Sequence, residues 1–138
     1  MKKVMVFGTF DIFHAGHKNF LRQARKYGTY LIVVVARDKT VAQVKGHQSM
    51  NDEKLRARTI RESLLTDMVI LGSLKDKYAV IKKYKPDIIC LGYDQNFFIA
   101  GLESFLEKAG MSGLKIKRLK AYHPQTYKSS ILKLKNIC

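Results

Sequence analysis

Five short apolar segments recur along the chain, and segments with helical spacing separate them. The segments are residues 4–7, 31–36, 68–71, 88–91 and, more weakly, 114–119. Nearly every residue in them is apolar, which is typical of strands that are covered by helices on both faces. The sequence therefore predicts an α/β fold, a Rossmann-like three-layer sandwich with a mostly parallel five-stranded sheet.

Residues 17–24 and 102–109 carry apolar side chains at intervals of three and four, the spacing of an amphipathic helix. Gly110 is a natural stop for the second helix. Segments 49–52 and 73–76 each begin with a serine and end with an aspartate, a pattern typical of helix starts. Both helices therefore have recognisable boundaries.

A chain of 138 residues predicts one domain, residues 1–138. The longest apolar stretch is much shorter than the ~20 residues that cross a bilayer, so no membrane span is expected. Cys90 and Cys138 form no disulfide framework, which favours a cytoplasmic setting.

The chain carries 26 Lys and Arg against 11 Asp and Glu, a formal charge of +15. Such a molecule attracts anions, but the same lysines also serve simple solubility. Nucleotides and nucleic acid both remain open on charge alone.

Residues 8–17 follow the first predicted strand and run into the first predicted helix. We expect Gly8 to let the backbone turn sharply and Gly16 to leave room for a bulky anion near the helix start. His14 and His17 provide two imidazole donors for a polyphosphate. The segment predicts a phosphate site in which the histidines hold charge and do not act as nucleophiles.

Other interpretations of the histidines are weaker. A closed zinc site needs four ligands, whereas the remaining candidates, His47, Cys90, His123 and Cys138, are scattered singly. Simple helix capping by the two histidines does not explain the presence of Gly8 and Gly16 in the same segment. The chain also lacks the dinucleotide-binding and Walker glycine motifs, which argues against a dehydrogenase or a P-loop ATPase.

The decapeptide Gly8-Thr-Phe-Asp-x-x-His-x-Gly-His17 resembles the signature of the cytidylyltransferase-like nucleotidyltransferases. Matching blocks follow in the same order, at residues 36–41, 45–46, 56, 71–73, 85–89, 91–95 and 129–130. Blocks 36–38 and 91–95 look most like the archaeal-type FAD synthases, which transfer AMP from ATP to FMN. Glycerol-3-phosphate cytidylyltransferases are the next relatives.

The resemblance implies roles by position. His14, His17 and Arg56 are the expected catalytic residues, and Thr9 and Phe10 are expected to contact the nucleotide through the backbone. The expected nucleotide-binding residues are Gly8, Thr9, Phe10, Asp11, His14, Gly16, His17, Lys45, Gly92, Asp94, Tyr122, Ser129 and Ser130. No protein metal ligand is expected, and Mg²⁺ is expected to arrive with the triphosphate.

Several of these positions have a second interpretation. Lys45 and Arg56 are otherwise ordinary solvated side chains, Asp94 is otherwise a turn residue, and Tyr122 otherwise forms a lid. The Ser129 pair is otherwise a plain helix cap. Many relatives carry an arginine where this chain has His123, which leaves the nucleotide and acceptor preference open.

The function implied is FMN adenylyltransfer from ATP to give FAD and pyrophosphate, in a homodimer by resemblance. CTP with glycerol 3-phosphate or another sugar phosphate is the alternative. A non-enzymatic nucleic-acid-binding protein is the alternative from another class, and we rank it below the enzyme because no aromatic-interleaved RNA-binding signature occurs. Its basic residues are Lys115, Lys117, Arg118, Lys120, Lys128, Lys133 and Lys135.

Overall fold

The computed structural model describes residues 1–92 and 101–120. Strands and helices alternate along these residues, and none of the helices among them is long and apolar enough to cross a membrane. In chain order the elements are β1 Lys3–Gly8, α1 Ala15–Arg25, β2 Tyr30–Val35, α2 Asp38–Lys45, α3 Glu53–Glu62, β3 Met68–Leu71, α4 Ala79–Tyr84, β4 Ile88–Leu91, α5 Leu102–Lys108 and β5 Lys115–Arg118.

The five strands in the described residues form one parallel sheet in the order β3-β2-β1-β4-β5. Each predicted strand is present, with its ends within one residue of the expected positions. Strand β1 lies at the centre, where Val6 pairs with Val33 on one side and Cys90 on the other. The predicted parallel sheet is confirmed.

Successive residues of the strands pack on opposite faces of the sheet. Val6 belongs to a buried cluster with Leu21 of α1 and Ile60 of α3. Its neighbour Met5 belongs to a second cluster with Ile81 of α4. Helices α1 and α3 therefore cover one face and α4 and α5 the other, which confirms the three-layer sandwich.

One of the two predicted helix starts is confirmed and the other is wrong. Asp52 caps α3 by accepting a hydrogen bond from the Leu55 amide at 2.8 Å. Ser73 instead accepts hydrogen bonds at 3.2 Å from two amides of a local turn. Helix α4 begins later, at Ala79, without a side-chain cap. A serine hydroxyl satisfies a turn as readily as a helix start, so the pattern alone did not separate them.

The strand order reverses between β1 and β4. From β1 the chain adds β2 and β3 on one side, then crosses to β4 and β5 on the other. Because Val6 pairs with Cys90, the residues two positions further on, Gly8 and Gly92, leave adjacent strand ends. In open parallel sheets this reversal point is where a ligand crevice forms.

The residues just before β2 pack closely on the N-terminal residues, and a substitution at Gly28 tests this packing. A methyl group there would lie 2.6 Å from the Lys2 carbonyl oxygen and 2.7 Å from a Val4 methyl. We expect Gly28→Ala to lower the free energy of unfolding by about 2 kcal/mol because backbone must shift. The control is Gly113→Ala, since nothing lies within 4 Å of its added methyl. Urea unfolding curves measure both, and equal stabilities would contradict this packing.

Candidate active site

The backbone after β1 is shaped by Phe10, which has a positive φ of 53° and is 5% exposed. Its ring folds back over Gly8, so that a Cβ on Gly8 would lie 2.7 Å from a ring carbon. The turn expected at Gly8 is therefore made at Phe10, and Gly8 serves to admit the ring. A non-glycine residue with positive φ is uncommon and is often found at functional sites.

The two histidines of the motif stand side by side at the start of α1. His14 is the N-cap, and its Nδ1 accepts a hydrogen bond from the Gly16 amide at 3.0 Å. The His14 and His17 rings stack with centroids 4.0 Å apart and an interplanar angle of 20°. The free amides and dipole of a helix start favour anions, so both rings lie where a phosphate would bind.

Aromatic packing fixes the His17 ring. Phe10 meets it edge-on at 5.3 Å between centroids, and Phe13 stacks on it at 5.9 Å. The pKa of His17 is lowered to about 3, chiefly by burial and also by the charges of His14 and Lys45, while a backbone hydrogen bond with Ile12 and the charge of Asp11 oppose this shift. Burial also lowers the pKa of His14. Both imidazoles are therefore neutral at pH 7 and serve as hydrogen-bond donors, each through one N–H.

Asp11 fastens the loop between α2 and α3 to the motif. The residue is buried, with 3% exposure. Its carboxylate accepts hydrogen bonds from the Met50 amide at 2.7 Å and the Asn51 amide at 2.8 Å. The Asn51 side chain donates in return to the Asp11 carbonyl. Asp11 was predicted to bind nucleotide, and in this structure its carboxylate holds the loop.

Arg56 joins three parts of the site. Its fully buried side chain donates from Nε to the Asn51 carbonyl at 3.0 Å, from Nη1 to the Thr9 carbonyl at 2.8 Å and from Nη2 to Asp38 at 2.7 Å. The alternative interpretation of Arg56 as an ordinary solvated side chain is wrong. The catalytic role expected for Arg56 stays a prediction, and in this structure its bonds hold the three segments together.

Asp38 and Glu53 connect the starts of α2 and α3. Partial burial raises the pKa of Asp38, but hydrogen bonds from Arg56 and the Glu53 amide outweigh burial and hold the pKa below its usual value. The Glu53 carboxylate accepts from the Asp38 amide at 2.9 Å and pairs with Arg37. The sequence analysis missed the roles of Asp38, Asn51 and Glu53, although segments 36–41 and 49–52 were singled out.

The remaining predicted residues divide into two groups. Lys45 is exposed at the end of α2, and its charge acts on His17, which places it near the histidines. Gly92 follows β4, where its carbonyl accepts a hydrogen bond from Arg118 at 2.7 Å. Four residues lie outside the described part of the chain: Asp94, Tyr122, Ser129 and Ser130.

A family model described as cytidylyltransferase-like matches residues 5–135. The chain belongs to the cytidylyltransferase-like family. Within that family it is 42% identical to the FAD synthase of Thermoplasma volcanium, over 98% of this chain and 94% of the relative. It is 43% identical to the FAD synthase of Aciduliprofundum boonei, over 88% of this chain and 80% of the relative. The resemblance stated from the decapeptide is confirmed.

Solved structures agree with this family fold. A lipopolysaccharide core biosynthesis protein from Thermoplasma volcanium superposes with a TM-score of 0.81 at 43% identity, covering 88% of this chain and 98% of that one. A pantoate-beta-alanine ligase from Francisella tularensis gives a TM-score of 0.62 at 14% identity, over 99% of this chain and 66% of that one. The second likeness concerns the fold alone.

The low pKa of His17 in this family member makes its stability depend on pH. The unfolded chain protonates an imidazole below about pH 6.5, whereas folded His17 stays neutral down to about pH 3. Since the unfolded state binds more protons in that window, the free energy of unfolding falls as pH falls from 7 to 4. Urea unfolding at several pH values should show a shallower fall in His17→Asn, while the exposed His47→Asn should follow the wild type. Parallel curves for His17→Asn and wild type would contradict the assignment.

Arg56 can be compared with an exposed arginine on the same helix. We expect Arg56→Met to cost about 3–5 kcal/mol of stability, because it leaves the Asp38 carboxylate and two carbonyls without their donor. Arg58→Met removes only an exposed pair with Glu62 at 3.8 Å and should cost less than about 0.5 kcal/mol. Denaturant unfolding measures both, and similar losses would show that the Arg56 bonds hold little together.

Proposed function

We propose that this chain is an FAD synthase that transfers AMP from ATP to FMN and releases pyrophosphate. The observation that carries the proposal is the stacked, neutral pair of His14 and His17 at the start of α1, directly beyond the central strand. The pair occurs in a chain that is 37–44% identical to eight archaeal FAD synthases.

The reaction needs no protein nucleophile. A phosphate oxygen of FMN attacks the α-phosphorus of ATP, a new P–O bond forms, and the bond from the α-phosphorus to the bridging oxygen breaks as pyrophosphate leaves. A phosphate monoester has a second pKa of about 6, so FMN is already ionised at pH 7 and no general base is required. The protein contributes position and hydrogen-bond donors.

We assign the donors as follows. The imidazole N–H groups of His14 and His17 hydrogen-bond the triphosphate, where negative charge grows during bond breaking. Lys45 contributes positive charge nearby, and Arg56 keeps Thr9 in place through its carbonyl. The remaining proposed nucleotide contacts are Gly8, Thr9, Phe10, Asp11, Gly16, Gly92, Asp94, Tyr122, Ser129 and Ser130.

A divalent ion, proposed as Mg²⁺, neutralises charge on the leaving phosphates when the nucleotide is bound. Asp11 and Asp38 already accept hydrogen bonds from protein donors, so they do not form an ion cage. Mg²⁺ would then be held mainly by the nucleotide and would arrive with it.

We place the enzyme in the cytoplasm as a single domain, residues 1–138, and expect a homodimer. These statements rest on composition and family resemblance. Light scattering after gel filtration measures the oligomeric state directly.

A second acceptor class has one observation in its favour. The Thermoplasma volcanium structure with a TM-score of 0.81 is described as a lipopolysaccharide core biosynthesis protein. That description favours a sugar phosphate as acceptor, on the same nucleotide site.

The decisive experiment measures pyrophosphate release with Mg²⁺, crossing ATP and CTP with FMN, glycerol 3-phosphate and a hexose 1-phosphate. We expect product only with ATP and FMN. His17→Ala should lower kcat by at least about 100-fold, since it removes a donor to the reacting phosphates. Arg22→Ala, an exposed basic residue on the same helix, should leave kcat unchanged. Turnover confined to a sugar phosphate would replace the FMN proposal, and a fully active His17→Ala would refute the donor role.

A further inference from the structure

Exposed apolar side chains are concentrated in the segment that joins α2 to α3. Seven large hydrophobic side chains are exposed in the described residues, and three of them fall between residues 44 and 55. They are Val44 in the last turn of α2, Met50 in the following loop and Leu55 in the first turn of α3, exposed by 44%, 56% and 37%. We call these three residues the apolar rim.

The apolar rim is fixed to the phosphate motif by hydrogen bonds. The Met50 amide donates to the buried Asp11 carboxylate at 2.7 Å. Arg56, the residue after Leu55, donates to the Thr9 carbonyl at 2.8 Å. Loop and motif are therefore held together, because each bond has one buried side chain as a partner and is costly to break.

A cation lies within this apolar segment. Lys45 follows Val44 directly and is exposed. Its charge contributes to the lowered pKa of His17, so it acts on the phosphate site. An apolar surface with one adjacent cation, beside a phosphate site, is complementary to a ligand that carries an apolar ring and a phosphate.

We propose that the apolar rim binds the flavin ring of FMN, while Lys45 meets the FMN phosphate. The inference rests on the proposed function and deepens it, because it names the residues that select the acceptor. A flavin ring buries the exposed rim and gains from the adaptable Met50 thioether. Glycerol 3-phosphate has no apolar part and leaves the rim in water. The rim therefore selects FMN over small phosphates.

The test measures FMN affinity by quenching of flavin fluorescence, with saturating α,β-methylene-ATP to prevent transfer. We expect Met50→Ser and Val44→Ser each to weaken FMN binding by about five- to tenfold and riboflavin binding by the same factor. Lys45→Gln should weaken FMN and leave riboflavin unchanged, because only FMN carries the phosphate. KM for ATP should stay within about twofold in both serine variants.

The matched control is Leu64→Ser, an apolar side chain that is 87% exposed in the turn before β3, at the amino-terminal end of the strands and not at the carboxyl end where the site lies. It should bind FMN as the wild type does. Unchanged FMN affinity in Met50→Ser and Val44→Ser would overturn the inference while an active wild type upholds the proposed function. Conversion of a dimer to a monomer by these serines would overturn it in favour of a second copy on the rim. A wild type that neither binds nor adenylylates FMN would refute both.

Discussion

The buried guanidinium of Arg56 is the interaction on which the site depends. It reaches the loop after β1 through Thr9, the start of α2 through Asp38 and the loop before its own helix through Asn51. A buried charge is stable only when it is paired and hydrogen-bonded, so these three segments are compelled to converge. The geometry around the histidines follows from this convergence.

Within this arrangement, the residues that hold the site together differ from the residues that are available to a ligand. Asp11, Asp38 and Arg56 are turned to protein partners, whereas Lys45 and Met50 are exposed at the surface. The histidines are held by aromatic packing and helix capping rather than by charge. Positioning residues with buried hydrogen bonds keep donors in productive geometry before any ligand arrives, which lowers the reorganisation needed during reaction.

The sheet and its layers could be predicted because strands covered on both faces are apolar at every position, a signal that needs no knowledge of contacts. The histidine motif could also be recognised from the sequence, because its residue types and spacing are specific. The contacts of Asp11 and Arg56 could not be predicted, since most of their partners are backbone groups, as far as 47 residues away in sequence. A backbone carbonyl has no sequence signature. Likewise, the identities of Gly8 and Phe10 do not predict that Gly8 leaves space for the Phe10 ring while Phe10 makes the turn.

Because the paired imidazoles are neutral without a ligand, nucleotide binding at this site is coupled to proton binding. Burial keeps the pKa of His17 at about 3 without a ligand. A polyanion beside the ring favours the imidazolium, so the pKa rises in the complex. Thermodynamic linkage then requires that nucleotide and proton strengthen each other's binding. At a pH between the free and bound pKa values of His17, the heat of nucleotide binding therefore includes the ionisation enthalpy of the buffer that supplies the proton.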